Sequence, residues 1–169
     1  MRRIILVGFM GCGKSTLGKK LASALDLPFL DSDEQIEMGV LLSVGEIFGT
    51  YGESRFREIE TEYIASLFGE GEFVLATGGG MPCFNKNMER LNELGTTFYL
   101  ERSPKELAHR LKHAKEQRPL LEGLSEDDLV KFIEQRLGER EEFYKQANFV
   151  LSRDEQKADT ILEFIRLLQ

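Results

Sequence analysis

A glycine-rich turn between a buried strand and an amphipathic helix restricts this chain more than any other feature of its sequence. Arg2-Arg3-Ile4-Ile5-Leu6-Val7 is short, apolar and β-branched, the composition of a strand covered on both faces. Gly8-Phe9-Met10-Gly11-Cys12-Gly13-Lys14-Ser15-Thr16 follows at once. Leu17, Leu21, Ala24 and Leu25 then recur at helical spacing, which predicts a helix from Lys14 to Leu25. The turn fits G-x-x-x-x-G-K-[ST] in full, in the strand-to-helix context that gives the pattern its meaning. Glycines let successive backbone N–H groups converge on one anion without a Cβ in the way. The helix start adds unpaired amides and the positive end of its dipole. Lys14 is then placed to reach the β- and γ-phosphates of a nucleotide, and Ser15 to ligate Mg²⁺. Cys12 inside the turn reads as a small space-filling residue, with alkylation near a phosphate site the alternative.

Strands and helices alternate along the rest of the chain. Strands are predicted at Leu27–Leu30, Phe73–Ala76, Thr97–Leu100 and Phe149–Leu151. Helices are predicted from Glu34 to about Phe48 with a break near Gly39, and over Ser54–Phe68, Asn85–Leu94, Pro104–Lys112, Glu126–Gln146 and Lys157–Leu168. That alternation specifies an α/β domain on a mostly parallel sheet. At 169 residues without repeat or linker, one domain over 1–169 is expected. No apolar run approaches the ~18–20 residues of a membrane span, and the first residues are too broken by glycine for a signal peptide. The expected address is the cytoplasm, with Cys12 and Cys83 reduced. The net charge of −7 argues against nucleic-acid binding but not against small anions, which respond to local charge.

The turn alone gives nucleotide binding, so the remaining residues must choose the activity. A base-reading N/T-K-x-D motif is absent. Asp31 and Asp33 flank Ser32 at the end of a strand, the edge where open α/β sheets bind ligands. They suit a metal-bound water and a substrate hydroxyl, or equally a helix N-cap. Arg57 can pair with Glu60 on a helix surface or serve a ligand. Gly78-Gly79-Gly80 directly follows a strand and suits close approach of backbone to a ligand. Arg118-Pro119-Leu120-Leu121 sits in a polar segment, 113–124, of the kind a closing lid requires. In the long helix Leu129, Ile133, Leu137 and Tyr144 form the apolar stripe. Arg136 and Arg140 fall on it or at its edge, and an inward arginine needs a carboxylate or a ligand anion.

Taken together these residues resemble the shikimate kinase family over essentially the whole chain. The resemblance rests on residues 8–16, Asp31-Ser32-Asp33, Phe56-Arg57 with Glu60, Gly78-Gly79-Gly80, Arg118-Pro119-Leu120-Leu121, and Arg140 four residues before Tyr144. It implies a three-layer nucleoside-monophosphate-kinase-like P-loop fold, a five-stranded parallel sheet flanked by helices with a mobile lid at about 112–124. The substrate segment would span about 33–61. The implied activity is ATP-dependent phosphorylation of the shikimate 3-hydroxyl on the route to chorismate and aromatic amino acids, by a monomer using Mg²⁺. Gly11, Cys12, Gly13, Lys14, Ser15 and Thr16 would hold ATP. Asp31 would hold a metal-bound water, and Asp33 the shikimate hydroxyls. Arg57 and Arg140 would grip the substrate carboxylate, Gly79 and Gly80 would approach its ring, and Arg118 would meet the phosphates. Arg110 and Arg153 would lie near adenine. Rival readings are a kinase of the same fold acting on a nucleoside monophosphate or gluconate, and a non-catalytic relative.

Overall fold

Five strands, β1 (Arg3–Val7), β2 (Phe29–Asp31), β3 (Phe73–Ala76), β4 (Thr96–Leu100) and β5 (Phe149–Leu151), form one parallel sheet in the order β2-β3-β1-β4-β5. The structure, a computed structural model, describes residues 2–113, 123 and 125–168. Ile4–Val7, Phe73–Ala76 and Thr97–Leu100 are buried throughout, which is why these segments read as unbroken apolar runs. Among the described residues seven α-helices flank the sheet: α1 (Lys14–Leu25), α2 (Ser32–Val40), α3 (Val44–Ser66), α4 (Asn87–Leu94), α5 (Pro104–Lys112), α6 (Glu126–Tyr144) and α7 (Ala158–Leu167). α1 packs on β1, β2 and β3 with α7 beside it, while α4 packs on β4 and against α3.

All strands run the same way, so the loops after β1, β2 and β3 open on one edge. β1 lies between β3 on one side and β4 on the other. The chain therefore reverses its winding at β1, and the crevice above such a point is where doubly wound sheets bind ligands. Among the described residues no helix is long and apolar enough to cross a membrane.

The elements differ from their predicted limits for local reasons. β2 lies two residues later than predicted because Asp31 pairs in register with Ala76. α2 then starts at Ser32, since the Asp31 side chain caps it. The break placed near Gly39 falls at Leu41, which adopts a left-handed conformation with φ 61°. α3 is longer than the stretch predicted from Ser54, and it is interrupted at Gly52, where φ is 79° and ψ 169°. α4 begins at Asn87 because Asn85 and Lys86 both take positive φ.

Candidate active site

The loop after β1 holds its lysine inward. Gly11 and Gly13 have φ of 79° and 106°, values that a side chain would strain. The Lys14 ammonium is buried and donates to the Gly8 and Phe9 carbonyls at 2.8 and 2.9 Å. Cys12 is buried beneath the loop with Sγ 3.5 Å from Lys14 Nζ, the place of a space-filling residue. Among the described α-helices α1 alone has neither a side-chain cap nor an acid in its first turn. Its positive end is left for an external anion. Arg110, on α5, donates from Nε to the Gly11 carbonyl at 2.7 Å and so borders the same loop.

Asp31 takes the helix-cap role with one oxygen and meets Ser15 with the other. Oδ1 accepts from the Asp33 backbone N–H at 3.2 Å and caps α2. Oδ2 accepts from the Ser15 hydroxyl at 2.8 Å. Ser32, between the aspartates, is fully buried and accepts from the Gly78 N–H at 2.7 Å, which ties β2 to the glycine triplet.

The triplet is where the remaining candidates meet. A Cβ at Gly78 would lie 2.5 Å from Asp33 Oδ1, one at Gly79 3.8 Å from Arg140 Nη1, and one at Gly80 2.5 Å from Arg57 Nη1. Gly78 and Gly80 thus make room for the Asp33 carboxylate and the Arg57 guanidinium, while Arg140 lies beside Gly79 at ordinary contact distance. The same added Cβ at Gly79 would lie 3.3 Å from the Met10 nitrogen, so the triplet also touches the phosphate loop. A cavity of about 900 Å³ opens over this junction. It takes in Gly11, residues 13–16, both aspartates, Gly78, Gly79 and Arg110.

Comparison with known proteins gives the family. The sequence model of the shikimate kinase family matches residues 10–169. A shikimate kinase of Bacteroides fragilis is 47% identical over 154 residues, covering 91% of this chain and 86% of that protein. The crystal structure of a shikimate kinase from Bacteroides thetaiotaomicron superimposes with a TM-score of 0.89 at 40% identity, covering 99% and 97% of the two chains. A shikimate kinase from Acinetobacter baumannii, solved in complex with shikimate, gives 0.84 at 32% identity over 100% and 95%. The chain belongs to the shikimate kinase family.

Within that family fold the arginines divide sharply. Arg57 does pair with Glu60, at 2.8 Å, yet the pair is buried: Arg57 is 9% exposed and Glu60 1%. A surface ion pair is therefore the wrong description. Burial pushes the Glu60 carboxyl up to about 7, against the pull of Arg57 and with the push of Asp33. Arg140 also acts on Glu60 and sits 5.7 Å over the Phe9 ring. Arg136, expected on or beside the apolar stripe, is exposed and pairs with Glu139 at 3.2 Å. Arg153 reaches Glu106 at 3.4 Å and lines a separate cleft with Arg102 and Pro104. Arg118, Pro119, Leu120 and Leu121 lie outside the described residues.

Further residues at the site are not among the candidates read from the sequence. Phe84 stacks on Arg57 at 4.1 Å. The Tyr144 hydroxyl donates to the Gly79 carbonyl at 2.5 Å. Cys83 borders Arg140, Tyr144 and Arg57, and burial pushes its thiol up to about 11. Asn87, fully buried, donates to the Met81 carbonyl at 3.0 Å and accepts from Thr61 at 3.0 Å. Each acts across elements, and only Tyr144 stands out in the sequence, through its helical spacing.

Proposed function

We propose that this chain transfers the γ-phosphoryl group of ATP to the 3-hydroxyl of shikimate, yielding ADP and shikimate 3-phosphate. Membership of the family makes it an ATP-using kinase that acts on shikimate. The geometry that supports the acceptor assignment is the glycine triplet, where Asp33 presses on Gly78 and Arg57 on Gly80, with Arg140 beside Gly79. A carboxylic acid with ring hydroxyls suits two cations at one end and a carboxylate at the other. The functional unit we assign is one domain and one chain, working in the cytoplasm.

The phosphate side is assigned to residues 11–16, with Arg110 along the nucleotide and Arg153 toward its base. Lys14 spends two of its three donors on loop carbonyls, and the third faces Cys12 Sγ at 3.5 Å, a weak partner that a phosphate oxygen can replace. Arg118 is assigned to the transferring group on its sequence alone. A hydroxyl beside a carboxylate, Ser15 and Asp31, is a hard-oxygen donor set that suits Mg²⁺, which normally takes its other ligands from phosphates and water. When bound with the nucleotide, that ion neutralises phosphate charge.

Arg57 and Arg140 fix the substrate carboxylate by charge-assisted hydrogen bonds. Gly79 and Gly80 let the ring approach the backbone. Asp33 accepts a hydrogen bond from the reacting hydroxyl and takes its proton as the new O–P bond forms and the old one to ADP breaks. Positioning and electrostatics dominate this chemistry, so a strong base is not required. A coupled ADP-release assay with shikimate, gluconate, AMP and CMP tests the assignment. Turnover with shikimate alone, lost in Lys14→Met, is expected; turnover with gluconate or a mononucleotide instead would overturn it.

A further inference from the structure

Arg57 is enclosed on most sides by buried or half-buried groups. Phe84 covers its face, with 4.1 Å between Cζ and the ring centroid. Gly80 lies close on another side, where an added Cβ would meet Nη1 at 2.5 Å. Glu60, 1% exposed, accepts from Nη1 at 2.8 Å. The edge formed by Nε and Nη2 remains, and it is an edge on which a carboxylate can form two parallel hydrogen bonds. Glu53 occupies it. Its Oε1 accepts from Nε at 3.3 Å and from Nη2 at 3.0 Å.

Glu53 is a different kind of partner from Glu60. Its side chain is 58% exposed, and it immediately follows Gly52, where α3 is interrupted. One of its oxygens serves both donors, whereas an incoming carboxylate can put one oxygen on each. Exposed ion pairs are weak and readily exchanged, while Glu60 would leave an unpaired buried charge behind. The one partner of Arg57 that can depart cheaply therefore sits on the edge that a substrate carboxylate needs.

We propose that Glu53 is a place-holding carboxylate that occupies the Nε and Nη2 edge of Arg57 in the empty enzyme and yields it to the carboxylate of the acceptor. The proposal rests on the acceptor assignment above. It makes Glu53 a specificity-determining residue. An acceptor gains Arg57 only if its anion outcompetes an intramolecular carboxylate, and stray monodentate anions are kept off the guanidinium.

Glu53→Gln keeps size and hydrogen bonding and removes the charge; Glu53→Ala removes both. Shikimate is titrated calorimetrically into each variant and the parent without nucleotide, and steady-state constants are measured alongside. Both variants are expected to bind shikimate more tightly, with Kd and KM about two- to fivefold lower, the factor that an exposed ion pair supports, and kcat little changed. Benzoate, a plain carboxylate probe followed through the arginine Nε–Hε resonances, should gain by a similar factor. The carboxamide of shikimate should gain nothing. Unchanged or weaker binding of shikimate and benzoate in both variants overturns the place-holder and makes Glu53 an orienting partner of Arg57. If the parent does not bind shikimate, the acceptor assignment fails, and the benzoate titration still decides the role of Glu53.

Discussion

Asp31 has two carboxylate oxygens, and the fold uses each for a different purpose: one caps a helix and the other holds the Ser15 hydroxyl. Asp33 contributes its backbone N–H to that cap, so its own carboxylate is not what starts α2. Asp33→Asn should therefore fold normally while kcat drops about 10²–10⁴-fold, the usual worth of a positioned proton acceptor; steady-state assay with a thermal melt checks both halves. Arg140→Lys should raise the shikimate KM and leave the ATP KM alone, because an ammonium cannot reproduce the guanidinium fork. Glu60 supplies a pH dependence with a definite sign. Folding raises its carboxyl from 4.5 to about 7. The stability it contributes is thus present below pH 4.5 and is lost as pH rises through 7. A substrate anion beside it raises that value further, so binding takes up a proton. Shikimate affinity, measured without nucleotide, should tighten as pH falls through about 7, and Glu60→Gln should abolish the change. At this scale the sequence picks out candidate residues but not how they are paired. The helix-cap reading of Asp31 holds, its other oxygen meets the Ser15 hydroxyl, and the i,i+3 partner of Arg57 is right while its burial is invisible without the neighbouring elements.

Between elements, the loop after β3 does the joining. Ser32 of α2, Arg57 of α3 and Arg140 of α6 all close on Gly78-Gly79-Gly80, and Asn87 holds the turn at Met81 to Thr61 of α3. Gly80→Ala would push a methyl group into Arg57. It should raise the shikimate KM at least tenfold by displacing that side chain, with nucleotide affinity unaffected; comparing the two KM values checks the separation. Asn87→Ala strands the Met81 carbonyl, while the Thr61 hydroxyl keeps the Arg57 carbonyl and the Asn85 amide, and chemical denaturation should show a loss of about 1–3 kcal/mol. Periodicity places the strands to within two residues, because parallel strands buried on both faces are unbroken apolar runs. It does worse on α2 and α3. Gly39 looks like the natural stop, yet the chain turns at Leu41, whose N–H closes α2 on the Glu37 carbonyl, and again at Gly52 inside α3, so glycine content alone does not place the breaks.

As a whole the molecule carries a net charge of −7 and belongs to a family whose two substrates are anions. The conflict is local and is resolved locally: Lys14, Arg57, Arg110 and Arg140 gather at one edge of the sheet, and charge elsewhere is screened over about 8 Å at physiological salt. The five-strand order brings this about by placing the loop after β1 at the reversal of winding, with β3 and its glycines alongside. That edge is legible from the motifs alone, whereas the contact between triplet and phosphate loop requires the fold. A crystal structure of the chain soaked with shikimate tests this convergence most directly. The carboxylate should lie within hydrogen-bonding distance of both Arg57 and Arg140, with a ring hydroxyl on Asp33 and the ring against Gly79-Gly80. Shikimate bound away from the triplet, or with its carboxylate on neither arginine, would contradict the account.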